Sequence, residues 1–414
     1  MVKKYDWDFI EVDTKYSTHC FHTYPAMMVP HVADQLIKKY GINKSTLFDP
    51  YCGTGTSLVE ANINGLNALG TDINPLARLI ATAKTNSIKT KTLNSHIKEF
   101  YSYLFPFRFG FKKRNFVVPA KFPNITFWFS KSVIVDLSIL KEYIDKIPYA
   151  SVSNFFKVAF SQTIRECSRT RKNEFKLYRM DTKQLRHFKP DVFTTFEKIV
   201  AKNREGLLKF CDEKKNGATS KIHDFNTVKQ DPNQIIKQKV GIVITSPPYG
   251  DSQTTVAYGQ FSRLANQWLG FQDANKLDYE LMGGKRAKKI KEFKCKILNK
   301  DLIKIGKIDK NRALDVSAFY EDYEKSIANV SKIIRKKGYA CYVVSNRCVK
   351  GVTLQTHQIT REFFKDNGFK HIETFERKIS NKRLPRKNSP SGVSGEKRNL
   401  MNIEYIVVMQ KINP

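Results

Sequence analysis

Thr245-Ser246-Pro247-Pro248-Tyr249-Gly250 follows Val240-Gly241-Ile242-Val243-Ile244, a short apolar run rich in β-branched residues. Such a run reads as a strand buried on both faces of a parallel sheet. Proline has no N–H for a ladder and fixes its own φ, so the chain must leave the sheet at Pro247. Two prolines and a tyrosine then make a stiff lip at the carboxyl end of a central strand, where open α/β sheets bind ligands. Ser246 offers a hydroxyl, the Pro247 carbonyl has no sheet partner, and Tyr249 offers an aromatic face. Together they can stack on a planar heterocycle and accept hydrogen bonds from an exocyclic amine. Alone, the hexapeptide reads equally well as an ordinary turn. A second motif decides between the two.

That motif is Phe48-Asp49-Pro50-Tyr51-Cys52-Gly53-Thr54-Gly55-Thr56. It follows a predicted strand, Thr46 to Phe48, and opens an amphipathic helix, Ser57 to Asn64, that Gly65 can end with a left-handed cap. Glycines at a strand-to-helix turn let the backbone approach a ligand, and the helix N-terminus supplies free N–H groups. A second strand, Ala68 to Thr71, ends in Asp72-Ile73-Asn74, with Asp72 at the distance where an acidic residue binds two ribose hydroxyls. The spacing of GxGxxG is incomplete and GxxxxGK[ST] is absent, which argues against a dinucleotide or a nucleoside triphosphate. What remains is a nucleoside without a pyrophosphate.

DPYCGTGT, GTDINPLA and ITSPPYG, in that order, resemble the S-adenosylmethionine-dependent DNA methyltransferases that modify exocyclic amino groups. The serine in the proline motif is more typical of the cytosine-N4 enzymes; the adenine-N6 enzymes more often carry aspartate there. The resemblance implies an α/β, Rossmann-like seven-stranded methyltransferase sheet with a mostly helical insertion and a basic DNA-binding region. It implies S-adenosylmethionine as cofactor, held by Asp49, Pro50, Cys52, Gly53, Thr54, Gly55, Thr56, Asp72, Ile73, Asn74 and Thr245. Tyr24 and Pro25 would close over its methionine end, and Asp224, which ends a predicted strand from Ser220, would bond the adenine amino group. Ser246, Pro247, Pro248 and Tyr249 would be the catalytic set. The implied partners are double-stranded DNA and a restriction endonuclease acting on the same site, in a bacterial or phage cytoplasm.

Composition agrees with a polyanionic partner. In 414 residues, 72 Lys and Arg against 39 Asp and Glu leave a formal charge of +33, which suits nucleic acid. No stretch approaches the roughly 20 apolar residues of a membrane span, and residues 1–15 hold no signal-peptide core. Seven cysteines without a CxxC pair make neither a disulfide framework nor a zinc site, so a reduced, cytosolic protein is expected and no metal is called for. No Pro-Cys dipeptide offers the nucleophile of cytosine-C5 methyltransferases, and Cys52 reads as a small packed side chain.

The chain divides into a cofactor half of the core (16–90), a mostly helical insertion (91–218), a core segment with the proline motif (219–270), a basic insertion (271–318) and C-terminal core strands with a basic loop (319–414). A helix over Val32 to Tyr40 ends at Gly41, and helices are predicted over Val133 to Ile147, Asn154 to Ser168, Tyr258 to Leu269, Tyr320 to Arg335 and Ile359 to Asn367. Strands are predicted at Gly338 to Val344, His371 to Ile379 and Glu404 to Lys411. Basic runs interleaved with aromatics lie at Phe105 to Phe129 and Arg165 to Arg186, and lysines crowd Gly283 to Arg312 and the loop Ser380 to Asn399. These suit phosphate contact and base stacking, although a charge run is also what a solvated helix face looks like. Three other activities share these motifs: adenine-N6 methylation of DNA, guanine-N2 methylation of tRNA, and DNA binding without catalysis.

Overall fold

The computed structural model describes residues 6–112, 121–172, 174–251, 255–272, 275–379, 387–388, 398–399 and 403–412. Its centre is a seven-stranded sheet: β1 (Thr46–Asp49), β2 (Asn67–Asp72), β3 (Ser220–Asp224), β4 (Val240–Thr245), β5 (Ile334–Val344), β6 (Phe369–Lys378) and β7 (Ile403–Lys411). The strand order is β3-β2-β1-β4-β5-β7-β6. β1 through β5 run parallel, and β7 enters antiparallel between β5 and β6. This is the α/β, Rossmann-like seven-stranded sheet that the motifs imply. Every residue of β4 is buried, as its unbroken apolar run requires of a strand covered on both faces.

Alternation along the strands sends consecutive side chains to opposite faces. Leu47, Ile242, Ile244 and Val343 meet α1 (Pro30–Tyr40) and α2 (Thr56–Ile63) through Val32, Leu36 and Leu58. Phe48, Val243 and Tyr342 point the other way, onto α9 (Lys296–Ile308), α10 (Lys310–Ile333) and α11 (Thr356–Lys365), which contribute Leu302, Phe319, Tyr323 and Phe363. The insertion forms α4 (Thr90–Arg108), α5 (Lys131–Asp145), α6 (Ala150–Cys167) and α7 (Val192–Glu213). Its apolar residues share one core with α3 (Pro75–Thr85) and α8 (Tyr258–Trp268), through Leu76, Ile80, Phe155, Phe160 and Trp268. The insertion is therefore fused to the sheet domain.

Some boundaries differ from the sequence reading. α10 begins ten residues before Tyr320, because the Asp309 side chain accepts the Arg312 N–H at 3.0 Å and Ala313 and Val316 extend the buried stripe. It stops at Ile333, and Arg335 belongs to β5, where Ile334 already pairs with Val240. Gly41 ends α1 in an extended conformation; glycine is needed there because a Cβ would sit 2.3 Å from the Ile37 carbonyl oxygen. Gly65 is left-handed, at φ +82°. The Lys-rich stretch 283–312 buries Phe293, Leu298, Leu302 and Ile305 and turns its lysines outward. Of the loop 380–399, only 387–388 and 398–399 are among the described residues, where they pair antiparallel. No described helix is long and apolar enough to cross a membrane.

Gly55, at the start of α2, packs against α3. Its φ is +77°, and an added Cβ would lie 2.9 Å from that of Ala81 on α3. Gly55→Ala is expected to cost about 1–3 kcal/mol of stability by denaturant titration, since it adds backbone strain to a clash between packed helices.

Candidate active site

The carboxyl ends of β1, β2, β3 and β4 open onto one cleft. Asp49 ends β1 and is buried. Its carboxylate accepts the Thr245 hydroxyl at 2.6 Å, the Tyr51 N–H at 3.1 Å and the Ser57 hydroxyl, tying β1 to β4 and to α2. Burial pushes its carboxyl up to about 6, with those hydrogen bonds opposing. Thr245 thus acts beneath the floor and contacts no open part of the cleft.

The glycine turn is held from β2. Asp72 accepts the Gly53 N–H at 3.0 Å and, with its other oxygen, the Asn74 N–H at 2.7 Å. Its carboxyl, too, is raised to about 6, chiefly by burial. Gly53 has φ +49° and nothing within 4 Å of where its Cβ would stand, so the turn faces open space. Gly55 lies behind, against Ala81. Cys52 is buried under Gly70 with its thiol pushed well up by burial, a packed side chain and no nucleophile.

Asn74 caps α3 and donates to the Tyr24 hydroxyl and to the Ser262 hydroxyl, each at 2.7 Å. Tyr24 in turn stacks near Tyr258, with ring centroids 6.1 Å apart. Tyr24 and Pro25 therefore stand on the cleft wall with Pro50, Cys52, Gly53, Thr54, Thr56, Asp72, Ile73 and Asn74. Ser246 and Pro248 line the same cleft, while Pro247 is buried. Tyr249 sits behind Ser246: its hydroxyl is 3.1 Å from the Ser246 hydroxyl and donates to Glu404 at 3.0 Å. Beneath the lip, Asp251 receives Arg347 at 2.8 Å, and the Arg347 guanidinium fills the space a Cβ on Gly250 would need.

Asp224 stands apart from this wall. Its side chain is 70% exposed and takes Arg78 in a two-pronged ion pair at 3.0 and 2.8 Å. β3 is an edge strand, and it is the residues after Asp224, Phe225 to Val228, that turn into the cleft. The rule that loops at carboxyl strand ends line the site could have found them. Glu280, Leu281 and Met282 also close the cleft, from a turn fastened by Gly259 N–H to Asp278 (2.9 Å) and Gly283 N–H to Asp322 (2.9 Å). No local signal marks them.

The cleft suits a nucleoside cofactor: an open glycine turn, a half-buried carboxylate behind it with two oxygens, and aromatic walls from Tyr24, Tyr258 and Phe225. No protein-family model matches the chain. The chain is 38% identical over a 424-residue alignment to the type II methyltransferase M.MvaI of Kocuria varians, covering 97% of this chain and 93% of that protein. The type II methyltransferase M.MjaII of Methanocaldococcus jannaschii is 31% identical over 86 residues, 20% of this chain and 16% of the other. Among solved structures, the rRNA methyltransferase AviRa of Streptomyces viridochromogenes aligns over 94% of this chain and 88% of its own at 8% identity. Its TM-score is 0.33, too loose a superposition to bear on function. The near full-length match to M.MvaI shows that the chain belongs to the type II DNA methyltransferases, with S-adenosylmethionine as its cofactor.

Proposed function

We propose that this DNA methyltransferase modifies the exocyclic N4 amine of a cytosine turned out of the duplex. The observation that carries the reading is that Ser246 and Pro248 face the same cleft as Asp72 and the glycine turn. An acceptor group and a cofactor site thus share one cleft. S-adenosylmethionine, when bound, supplies the methyl group. The serine at the head of the motif favours cytosine, because that form of the motif is more typical of the cytosine-N4 enzymes it resembles.

A base inside a pair cannot reach the cleft, so it must be extruded, at a cost of a few kcal/mol. Pro248 offers an apolar face to it, and the Tyr249 ring stands behind the lip. Ser246 and the Pro247 carbonyl accept the amine N–H groups, which fixes the nitrogen and leaves its lone pair free to attack. Orientation and electrostatics then supply the rate gain, with no protein nucleophile.

DNA outside the cleft would meet two basic surfaces. Arg165 lies 4.0 Å over the Phe261 ring, and the Leu177 N–H donates to Gln260 at 3.2 Å, strapping the Arg169–Met180 turn to α8, which leaves the lip. Phe175 and Tyr178 are exposed on that turn. The outward lysines of α9 form the second surface. Protection of DNA from a companion restriction endonuclease is the role that follows.

Nucleoside mass spectrometry of duplex DNA and of bulk tRNA, each incubated with the protein and S-adenosylmethionine, tests the reading. N4-methylcytosine is expected from DNA alone, falling about 100-fold or more in Ser246→Ala, by analogy with loss of one preorganised hydrogen-bonding group. N6-methyladenine would overturn the choice of base, and methylguanosine from tRNA the choice of nucleic acid.

A further inference from the structure

Ser246 carries a hydroxyl, which can meet a ligand either as donor or as acceptor. The choice is made behind it. Glu404 on β7 is 3% exposed and ion-paired with Arg377, whose Nε also donates to the Trp7 carbonyl at 2.9 Å. A carboxylate held by a guanidinium only accepts hydrogen bonds. The Tyr249 hydroxyl, 3.0 Å away, therefore spends its single proton on Glu404. Its oxygen lies 3.1 Å from the Ser246 oxygen and in that contact can only accept. The Ser246 proton must then point back toward Tyr249, and its lone pairs are left facing the cleft.

The geometry points to Glu404 as a positioning and specificity-determining residue that makes Ser246 an obligate acceptor, so that the lip takes an N–H donor and refuses a carbonyl oxygen. The inference rests on the proposal that a base docks at this lip, and it holds for an amine on either cytosine or adenine. It explains how a serine, indifferent by itself, can select an amino base over its keto counterpart.

The test uses the full chain, and the wild type first locates the modified position in DNA by mass spectrometry and sequencing. Duplexes then carry at that position either the amino base or its keto counterpart, uracil for cytosine or hypoxanthine for adenine. Binding is measured with S-adenosylhomocysteine present. The quantity read is the change in the amino-to-keto affinity ratio between variants, which cancels the cost of opening the pair. In Glu404→Gln an amide can donate to the Tyr249 oxygen and reverse the chain, so the ratio is expected to fall about 10-fold or more. kcat should fall with it while S-adenosylmethionine affinity stays unchanged.

Tyr249→Phe removes the phenol and keeps the Arg377–Glu404 pair, so it makes the same test should Glu404→Gln fail to fold. A smaller loss of ratio is expected there, because the hydroxyl is freed rather than reversed, and in the Tyr249→Phe background Glu404→Gln should change the ratio no further. An unchanged ratio in either folded variant, additive losses, or a wild type indifferent to amine and carbonyl would overturn the assignment. A wild type that modifies no DNA would instead sink the functional reading on which it stands, and the assignment with it.

Discussion

Asp72→Ala is expected to weaken S-adenosylmethionine binding at least about 100-fold by titration calorimetry. Two effects add. In the proposed binding mode the carboxylate receives ribose hydroxyls, and charge-assisted hydrogen bonds contribute about 1.5–3 kcal/mol each. It also fastens the Gly53 turn and the Asn74 N–H from both oxygens, so its loss loosens the cradle itself. Because burial raises the Asp72 carboxyl to about 6, the free protein holds it protonated below that pH and ionised above. The protonated form has fewer lone pairs to offer. Affinity should therefore decline as pH falls from 8 to 5, bending near 6, and Asp72→Asn should show a weaker and flatter profile. A wild-type affinity constant across that range would show that Asp72 does not meet the cofactor.

Asp251→Ala is expected to lower the unfolding free energy by about 3–5 kcal/mol, read from denaturant titration. Asp251 is 3% exposed in its side chain and Arg347 7%, at 2.8 Å, with Arg312 a further 3.7 Å partner. Removing the carboxylate leaves the Arg347 guanidinium at a site shaped for a charge it no longer meets, and burying such a charge is costly. Arg347 also packs against Gly250, so the lip should lose its fixed position and methyl transfer should fall along with stability. Arg347→Met in the Asp251→Ala background should recover part of the stability, because it withdraws the buried charge. A loss under about 1 kcal/mol would mean that solvent screens the pair.

The parts of the site that were readable from the sequence are those whose physics is local. The prolines of 247 and 248 end a strand by chemistry intrinsic to proline, and β4 ends at Thr245 as expected. Glycines at 53 and 55 do adopt the positive φ that a tight strand-to-helix turn demands. Asp72 does stand at the end of β2, behind the glycine turn. What escaped is whatever depends on distant pairing. Asp224 keeps its place at the end of β3, but edge geometry hands it to Arg78. Glu280 to Met282 reach the cleft only because Asp278 and Asp322 fasten their turn to α8 and α10. A lysine-rich stretch looked like open surface, yet every third or fourth residue of α9 is buried against the sheet's helical cover. Tyr249 was readable as an aromatic face; that its hydroxyl answers to a carboxylate 155 positions away was not.

The placement of β7 has a kinetic side. It is the strand made after β6, yet it lies inside β6, pairing with β5 along one edge and β6 along the other. Until it slots in, β5 and β6 each present an unpaired edge, the kind of surface that invites mispairing. Closing so long a loop is entropically slow, and non-local pairing of this sort retards folding generally. Glu404 travels on that strand. The strand that fills the gap between β5 and β6 is thus also the one that brings the carboxylate to Tyr249.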